Sequence, residues 1–425
     1  MKQGCTLSPI LFNIFINDLI EYLNEAVEGI EIGNTKINTL VFADDVVLIA
    51  DCPIKLQNLL NALGKWCKDN QMMINHDKTK IIHFRHPKKK LCQSKFSCSE
   101  TPIQYTNSYK YLGVEFTEYL SWAKSVENTA ISANKAASYL IAKTRSSSAF
   151  LFTIYNHLYT TLVLPVIEYS SFIWGLRSFD QISKIQNNLM RSFLGVGRNA
   201  PIVTLIGDMG WAPISIITKL SCIRFWLRLS NMSHDRINYK IFTESCRLAE
   251  NGKKNWASSM KVYLNYLNSH LGFRPSITDK HFLQYYQDIA TNLYKSEWRE
   301  QVNHIRDNSE SGGRLNSYRN IKRDLVTEIY IANERSVGVR KVLAGLWAGC
   351  LLLGIETGWY TGIPYDQRRT CCLCDFGEVE DQHHFLIISP TFKDLRLQLF
   401  NYCYFLSHAF FELPIASKTH YILNN

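Results

Sequence analysis

Helical hydrophobic periodicity dominates the start of the chain. Ser8 is a predicted N-cap, Pro9 suits the first helical position, and Gly29 ends the helix. Apolar residues then repeat at intervals of three and four and predict one buried face. This face consists of Leu11, Ile14, Phe15, Leu19, Tyr22, Leu23 and Ala26. The same spacing predicts a second helix. Its apolar residues are Leu56, Leu59, Leu60, Leu63 and Trp66.

Strand-like patterns follow the first helix. The runs at 39–43 and 46–50 are apolar, and Asp44 and Asp45 lie between them. This pattern predicts a β-hairpin with two carboxylates at its tip. Residues 109–116 are interrupted by a glycine and predict a second turn flanked by strands.

The remaining pattern is mainly helical. Residues 81–84 predict one more strand, and from about residue 121 apolar residues recur at helical spacing. A polar, glycine-containing stretch at 308–313 is the predicted linker.

Charge is unevenly distributed along the 425 residues, whose net charge is +10. Residues 1–120 are neutral, residues 121–345 carry +13, and residues 346–425 carry −3. Within the first region, Lys65–Lys95 holds nine basic side chains against two acidic ones. Basic stretches interleaved with aromatics favour a polyanionic partner, most economically nucleic acid. An ordinary solvated basic surface is the alternative.

Composition excludes several classes of protein. With 46% hydrophobic and 12% aromatic residues, the chain is not intrinsically disordered. The longest uncharged apolar run, Val342–Ile355, has 14 residues, fewer than the roughly 20 of a membrane-spanning helix. The 12 cysteines are scattered, and the first residues lack a secretion-signal pattern. We therefore expect an intracellular protein, in the nucleus or the cytoplasm, without a membrane partner.

The Asp44-Asp45 pair is a candidate metal site. A hairpin tip lets one carboxylate face a cleft while its neighbour faces away, which avoids burying unpaired charge. Hard divalent cations prefer oxygen ligands. Phosphoryl transfer by two metal ions needs such acids near the attacking and leaving oxygens. A solvated Asp-Asp turn, which is common, is the alternative.

Four short motifs occur in order along the chain: QGCTLSP at 3–9, FADD at 42–45, NHDKTK at 75–80 and YLG at 111–113. Together they resemble the palm of a reverse transcriptase, most closely those of LINE-like (non-LTR) retrotransposons. QGCTLSP at 3–9 is similar to their QG-x-x-LSP motif, and FADD at 42–45 resembles their YADD box with Phe42 in place of Tyr. NHDKTK at 75–80 resembles their N-x-x-KTK segment, and YLG at 111–113 resembles their YLG hairpin. Any one of these motifs would be weak, whereas four in the right order make a strong signal.

The resemblance implies a role for each matched residue. Asp44 would ligate Mg²⁺, Asp45 would be its less direct neighbour, and Lys78 would lie near the departing pyrophosphate. The residues that would contact nucleotide or primer are Gln3, Gly4, Phe42, Tyr111, Leu112 and Gly113. The implied partners are an RNA template, a DNA primer or target, and deoxynucleoside triphosphates.

The resemblance also implies an α+β fold with four regions. Residues 1–120 would form part of a right-hand polymerase palm. Residues 121–210, which include YSSFIWG at 169–175, would form a helical thumb. Residues 211–345 would be helical and basic and contain the predicted linker, and residues 346–425 would form a small Cys/His knuckle.

Polymerases of this kind carry a further catalytic Asp on a strand before the QG motif. Only Met1 and Lys2 precede Gln3 in this sequence. A two-metal site needs carboxylates from both strands. We therefore interpret the sequence as an N-terminally truncated reverse transcriptase and expect no polymerase activity from it alone.

A Cys/His cluster is a candidate zinc site near the end of the chain. Cys371 and Cys374 form a C-x-x-C pair, and His384 follows ten positions later, a spacing typical of zinc ligands. With EDQHHFL at 380–386, this segment resembles the C-terminal Cys/His segment of the same retrotransposons. Ser389 stands where that family has its fourth ligand, Cys, and a neutral hydroxyl binds zinc poorly. Other candidates for the fourth position are water, Cys372 and His383. A degenerate remnant or an ordinary buried cluster is the alternative to a zinc site.

Three functional hypotheses follow. The first is a fragment of a LINE-like reverse transcriptase. The second is a non-catalytic nucleic-acid-binding protein derived from a retrotransposon, whose +13 region contacts phosphates in a salt-sensitive manner. The third is a degenerate reading frame without a selected function.

Overall fold

The computed structural model combines helices with small sheets, as the sequence predicts. It describes residues 6–146, 150–272, 274–278, 280–304, 318–319, 322–333, 336–351, 353–355, 371 and 373–424. Gln3, Gly4 and the predicted linker at 308–313 lie outside the described residues.

The described helices and strands have the following bounds. The helices are α1 (Ser8–Ala26), α2 (Pro53–Asp69), α3 (Ala123–Ser146), α4 (Phe152–Leu158), α5 (Leu164–Glu168), α6 (Ser171–Trp174), α7 (Asp180–Leu194), α8 (Ile202–Met209), α9 (Ile214–Ser230), α10 (Ile237–Glu250), α11 (Trp256–Leu271), α12 (Phe282–His304), α13 (Ile329–Asn333), α14 (Val337–Trp347), α15 (Lys393–Leu406) and α16 (Ile415–Asn424). The strands are β1 (Ile30–Ile32), β2 (Thr35–Ile37), β3 (Thr39–Phe42), β4 (Asp45–Leu48), β5 (Lys80–Ile81), β6 (Phe96–Cys98), β7 (Thr101–Tyr105), β8 (Ser108–Tyr111) and β9 (Val114–Thr117). None of the described helices is long and apolar enough to cross a membrane.

The chain divides into two compact units. The first unit comprises Met1–Asn128 and Cys222–Phe282, and the second comprises Thr129–Ser221 and Leu283–Asn425. In the first unit, β1–β2, β3–β4 and β8–β9 form separate antiparallel hairpins. A three-stranded sheet has the order β5-β7-β6, with β5 parallel and β6 antiparallel to β7.

Helix α1 packs on α2 and on the β3–β4 hairpin. The buried residues of this core are Ile16, Leu19, Leu23, Val27, Leu59 and Trp66. The predicted α1 face is partly wrong, because Leu11 and Ile14 are 54% and 69% exposed. The first turns of α1 are apolar on several sides, so periodicity alone does not select the stripe that meets α2. The N-cap is also one residue earlier than predicted, at Leu7 instead of Ser8. The Leu7 carbonyl accepts a hydrogen bond from the Leu11 amide (3.0 Å).

A buried amide joins the end of α1 to the β3–β4 hairpin. Asn38 Nδ2 donates to the carbonyls of Leu23 (3.0 Å) and Val27 (2.8 Å). The Asn38 carbonyl accepts from the Ile49 amide (2.7 Å) at the open end of the hairpin. The Leu23 carbonyl also accepts from the Val27 amide (3.2 Å), whereas the bond to Val27 satisfies a carbonyl beyond the last turn of the helix.

The predicted second helix is confirmed as α2, which also covers the three-stranded sheet. Leu60 of α2 packs there with Ile81, Phe96 and Ile103. The strand predicted at 81–84 ends at Ile81. Its shortness follows from the next contact of the chain, where the Arg85 amide donates to the Glu118 carbonyl (3.0 Å) instead of continuing along β7.

Aromatic packing around a buried arginine organises part of the second unit. Tyr155 lies 4.5 Å from the Phe193 ring and stacks on Trp211. Arg340 is fully buried and lies 4.0 Å above the Phe193 ring. Its Nε donates to the Phe193 carbonyl (3.1 Å) and its Nη1 donates to the Phe150 carbonyl (3.1 Å). The charge is thus held by carbonyl oxygens and a ring face, which offset its desolvation.

Asp208 in α8 is a buried carboxylate of the second unit. It accepts hydrogen bonds from the hydroxyls of Tyr318 (2.9 Å) and Tyr330 (2.7 Å). The Glu328 amide also donates to the Asp208 carbonyl (2.9 Å). Burial raises the pKa of Asp208 to about 7, because desolvation outweighs the tyrosine hydrogen bonds and the charge of Lys322.

Asp208→Asn should flatten the pH dependence of stability. In the folded protein the Asp208 carboxyl stays protonated above pH 3.8, its ordinary pKa. Its contribution to the free energy of unfolding is therefore full below pH 3.8 and is lost as the pH rises through about 7. The amide cannot ionise, so the variant should lose less unfolding free energy between about pH 5 and pH 8. The difference in slope is at most about 1.4 kcal/mol per pH unit. Urea unfolding at several pH values measures it, with the exposed Asp69→Asn as control. Equal slopes for Asp208→Asn and the unaltered protein would contradict this account.

Candidate functional site

The predicted hairpin with two carboxylates at its tip is confirmed. Strands β3 and β4 pair Phe42 with Asp45, which leaves Ala43 and Asp44 as a two-residue turn. Both carboxylates are exposed. Ala43 has a φ of 51°, a left-handed conformation that costs a non-glycine residue about 1–2 kcal/mol. Strain of this kind persists only where the surrounding structure imposes it.

The base of this hairpin is held by the core. Val41, Val46 and Leu48 pack against the α1–α2 cluster, whereas the Phe42 ring is 61% exposed beside the tip. The acidic tip therefore rests on a packed base, which is the arrangement that keeps a ligating carboxylate in one position.

A second strained turn carries the YLG motif. Strands β8 and β9 pair Tyr111 with Val114, so that Leu112 and Gly113 form the turn. Their φ values are 45° and 80°. Positive φ at both central residues is typical of a type I′ hairpin. The turn predicted within residues 109–116 is therefore confirmed.

Tyr111 of the second hairpin lies within electrostatic reach of Asp45 at the tip of the first. Burial, followed by the negative charge of Asp45, raises the pKa of the Tyr111 hydroxyl. Because the interaction between charges weakens with distance, this effect requires Tyr111 to lie near Asp45. The fold therefore places Tyr111 within electrostatic reach of Asp45, although the two residues are more than 60 positions apart in the chain.

Lys78 lies in a tight turn before β5. The Asn75 side-chain oxygen accepts from the Lys78 amide (3.1 Å), and the Asn75 carbonyl accepts from the Thr79 amide (3.0 Å). The Lys78 side chain is exposed, and no described carboxylate forms an ion pair with it. No contact among the described residues joins Lys78 to Asp44.

Three consecutive lysines form an exposed turn that the sequence motifs do not assign to the site. This basic turn consists of Lys88, Lys89 and Lys90. The Lys89 amide donates to the His86 carbonyl (2.8 Å). Arg85, just before the turn, pairs with Glu118 (2.9 Å), directly after β9. Within the described part of the chain, no carboxylate pairs with the three lysines, so their charge is available to an external polyanion.

The predicted zinc ligands come together in the second unit. The candidate ligand atoms of Cys371, Cys374 and His384 all lie within 4.8 Å of one another. Cys374 Sγ is 3.3 Å from His384 Nε2, close to the separation of about 3.6 Å that zinc bond lengths and tetrahedral angles require. Burial raises the pKa of the Cys371 thiol, so a nearby cation would be needed to favour its thiolate.

Carboxylates orient the histidine of this cluster. His384 Nδ1 lies 3.2 Å from Glu378 Oε2, and the His384 amide donates to Asp381 Oδ1 (2.7 Å). A carboxylate on the second ring nitrogen is the usual partner of a metal-binding histidine. The donor set therefore fits a zinc ion, with Cys371, Cys374 and His384 as three of its ligands.

Ser389 lies beside the same cluster. Its amide donates to the His384 carbonyl (2.8 Å). Its buried hydroxyl has no hydrogen-bond partner among the described residues. His383 Nδ1, by contrast, is 2.6 Å from Thr419 Oγ1, and Cys372 lies outside the described residues. The Ser389 hydroxyl is thus a polar group near the cluster that forms no hydrogen bond with the described residues.

Comparison with known proteins gives a family match for the first part of the chain. Residues 1–116 match the family described as Reverse transcriptase (RNA-dependent DNA polymerase). A Drosophila melanogaster Pol polyprotein from retrotransposable element R2DM is 36% identical over 28% of this chain and 12% of its own length. A Popillia japonica Pol polyprotein from element R2 is 32% identical over 28% of this chain and 20% of its own length. A probable RNA-directed DNA polymerase from the Drosophila melanogaster X-element is 26% identical over 50% of this chain and 24% of its own length.

The chain therefore carries a reverse transcriptase domain. The chain is similar to Pol polyproteins and RNA-directed DNA polymerases of retrotransposable elements, in agreement with the resemblance of its four motifs. It spans about 12–24% of the length of these three relatives.

Ser389→Cys should strengthen zinc binding. The substitution supplies a thiolate where the protein has a neutral hydroxyl, and four-coordinate sites with thiolate ligands bind zinc more tightly. We expect the apparent zinc affinity to rise roughly tenfold or more. Competition with a chromogenic chelator measures it on the full chain.

Ser417→Cys is the matched control, because it adds a thiol at an exposed position of α16. A gain of similar size in this control, or no gain in Ser389→Cys, would contradict a fourth ligand position at Ser389.

Proposed function

We propose that this chain contributes part of the palm of an RNA-directed DNA polymerase, with Asp44 as a ligand for Mg²⁺. The observation that carries the proposal is the exposed Asp44-Asp45 pair on a strained turn of a hairpin packed against the core, with Tyr111 of a second strained hairpin within electrostatic reach of Asp45. Acids on a rigid turn beside a second rigid turn can hold a cation and a nucleic-acid strand in a fixed relation.

Each matched residue has a proposed task. Mg²⁺, when bound, would neutralise phosphate charge and activate the attacking hydroxyl. Asp44 would hold the ion through its exposed carboxylate, and Asp45 would add negative charge beside it. Phe42 would offer its exposed ring to the incoming nucleotide. Lys78, exposed and unpaired among the described residues, would attract the departing pyrophosphate.

The second hairpin is proposed to contact the primer. Tyr111, Leu112 and Gly113 form a turn that is fixed by strand pairing and by the buried Val114. For the nucleotide pocket we propose Gln3 and Gly4. The proposed partners are an RNA template, a DNA primer or target and deoxynucleoside triphosphates, and the proposed location is the nucleus or the cytoplasm.

The four regions inferred from the resemblance remain part of this proposal. Residues 1–120 would be the palm part, and residues 121–210 the thumb. Residues 211–345 would be a basic helical region, and residues 346–425 the Cys/His segment. The Cys/His segment is proposed to hold a structural zinc ion, which agrees with the orientation of His384 by Glu378.

Asp44→Asn should weaken divalent-cation binding to the first unit. The amide oxygen lacks the negative charge that hard cations prefer, so we expect roughly tenfold weaker binding. Mn²⁺ serves as the probe, because its binding to the 425-residue chain enhances the relaxation of water protons. The measurement reads metal binding and does not depend on turnover.

Asp69→Asn is the matched control, since Asp69 is an exposed acid at the end of α2. Equal Mn²⁺ affinities for Asp44→Asn and Asp69→Asn would contradict the proposed ligand.

Binding of RNA or DNA without catalysis is the second candidate function. The basic turn, formed by Lys88, Lys89 and Lys90, favours it. Arg85 anchors the turn to the base of the β8–β9 hairpin, and no described carboxylate neutralises its charge. Such lysines would contact phosphates rather than bases and so give salt-dependent binding with little sequence preference.

Replacing the three lysines of the basic turn by Ala should reduce the salt dependence of nucleic-acid binding. Each phosphate contact contributes about 0.7–0.9 to the slope of log K against log salt concentration. The triple variant should therefore lose about 2–3 units of slope, measured by fluorescence anisotropy with an RNA–DNA duplex. The matched control replaces three exposed lysines elsewhere in the first unit. These are Lys240, Lys253 and Lys254. Equal losses of slope in both variants would mean that only the total charge of the protein matters. That result would overturn the assignment of phosphate contacts to the basic turn.

A further inference from the structure

Two segments of the first unit carry exposed aromatic rings, and bonds between Arg85 and Glu118 join these segments. The Arg85 amide donates to the Glu118 carbonyl (3.0 Å), and Arg85 Nη2 lies 2.9 Å from Glu118 Oε2. The residues next to this pair in the chain are Phe84 and Tyr119, which are 50% and 44% exposed. The pairing therefore places two exposed rings on neighbouring segments, just before the basic turn.

The Tyr119 ring is held on one face. The Arg85 guanidinium lies 5.0 Å from the centre of this ring, within the roughly 6 Å over which a cation is attracted to an aromatic face. The side chains of Arg85 and Glu118 are only 12% and 11% exposed, so the ion pair lies against the protein. Solvent therefore reaches the Tyr119 ring away from the guanidinium. A ring fixed in this way loses little conformational freedom when a second planar group stacks on it.

The basic turn lies within a few nucleotides of Tyr119. Lys88 follows Arg85 by three residues, which span at most about 11 Å. One strand of nucleic acid advances about 3.4 Å per stacked nucleotide, so about three nucleotides cover this span. His86 holds the turn, since its carbonyl accepts from the Lys89 amide (2.8 Å) and its Nδ1 accepts from the Lys88 amide (3.3 Å). A strand that places a base on Tyr119 therefore brings its neighbouring phosphates to the lysines.

This combination of groups favours an unpaired base. Proteins that bind single strands combine cations that follow the backbone with aromatic rings on which bases stack. In a duplex, both faces of a base are covered by the neighbouring base pairs, so an exposed ring would add nothing to phosphate contacts. We propose that the Tyr119 ring, fixed by Arg85, stacks with an unpaired base of RNA or DNA while the basic turn binds the adjacent phosphates.

The inference deepens the second candidate function, because it rests on nucleic-acid binding by the basic turn. Phosphate contacts alone would serve duplexes and single strands alike, whereas stacking needs a base with a free face. Two readouts therefore separate the two proposals. The salt dependence of binding reports on the lysines, and the environment of a base reports on Tyr119.

Fluorescence of 2-aminopurine tests the stacking directly, because this base analogue is quenched when it stacks on an aromatic ring. Single-stranded DNA and RNA oligonucleotides with 2-aminopurine at alternate positions are titrated with the full chain. Fluorescence anisotropy of an end label measures total binding in parallel. We expect quenching on binding, and tighter binding of the single strand than of a duplex of the same sequence. Quenching with both strands assigns the surface to unpaired bases in general, and quenching with one assigns it to RNA or DNA alone.

Tyr119→Leu should abolish most of the quenching. Leucine retains apolar area but lacks an aromatic face, so single-strand affinity should fall about tenfold while the salt dependence stays unchanged. Tyr119→Phe retains the face and should bind and quench like the unaltered protein. Tyr266→Leu is the matched control, because Tyr266 also lies in the first unit and is 46% exposed.

The outcomes distinguish a failure of this inference from a failure of the function on which it rests. Equal quenching and affinity in Tyr119→Leu and Tyr266→Leu would overturn the stacking proposal, and a salt dependence that requires the basic turn would still support nucleic-acid binding. No binding of any strand by the unaltered chain would overturn both. A duplex bound as tightly as the single strand would also contradict the stacking proposal.

Discussion

The bonds of the buried Asn38 amide fix the geometry on which the candidate site depends. They tie two carbonyls at the end of α1 to the open end of the β3–β4 hairpin. Gly29 makes this approach feasible, because a Cβ there would lie 2.6 Å from the Ile37 amide nitrogen. With the base of the hairpin held in this way, its acidic tip can remain exposed and strained. An Asp-Asp turn without such an anchor would be free to adopt relaxed conformations, and its carboxylates would have no fixed position.

The same constraint explains why the hairpin tips rather than the core carry the candidate chemistry. Asp44 and Asp45 are exposed, so neither carries the cost of a buried charge, and a cation can reach both. Tyr111 lies close enough to respond to the charge of Asp45. Two short hairpins, each with a strained turn, thereby place Asp45 and Tyr111 within electrostatic reach of each other. The basic turn at the base of the second hairpin extends positive charge away from it, which suits a partner that carries many phosphates.

The sequence predicts local features of this fold better than long-range ones. Both hairpins follow from apolar runs on either side of polar or glycine-containing turns, which is a local pattern. The buried stripe of α1 does not follow, because its early turns are apolar on several sides and only packing against α2 selects among them. The neighbouring positions of Tyr111 and Asp45, and the bond from Tyr318 to Asp208 across 110 residues, depend on tertiary structure.

In the Cys/His cluster, sequence spacing and tertiary contacts determine different parts of the candidate site. The C-x-x-C spacing brings two thiols together, but the direction of His384 depends on Glu378 and Asp381, which hold its ring and its amide. Neither of these two bonds involves the Ser389 side chain, so the orientation of His384 does not depend on the identity of residue 389. A neutral serine hydroxyl at this position would bind zinc more weakly than a thiolate. For this reason the identity of residue 389 should affect metal affinity far more than the fold around His384.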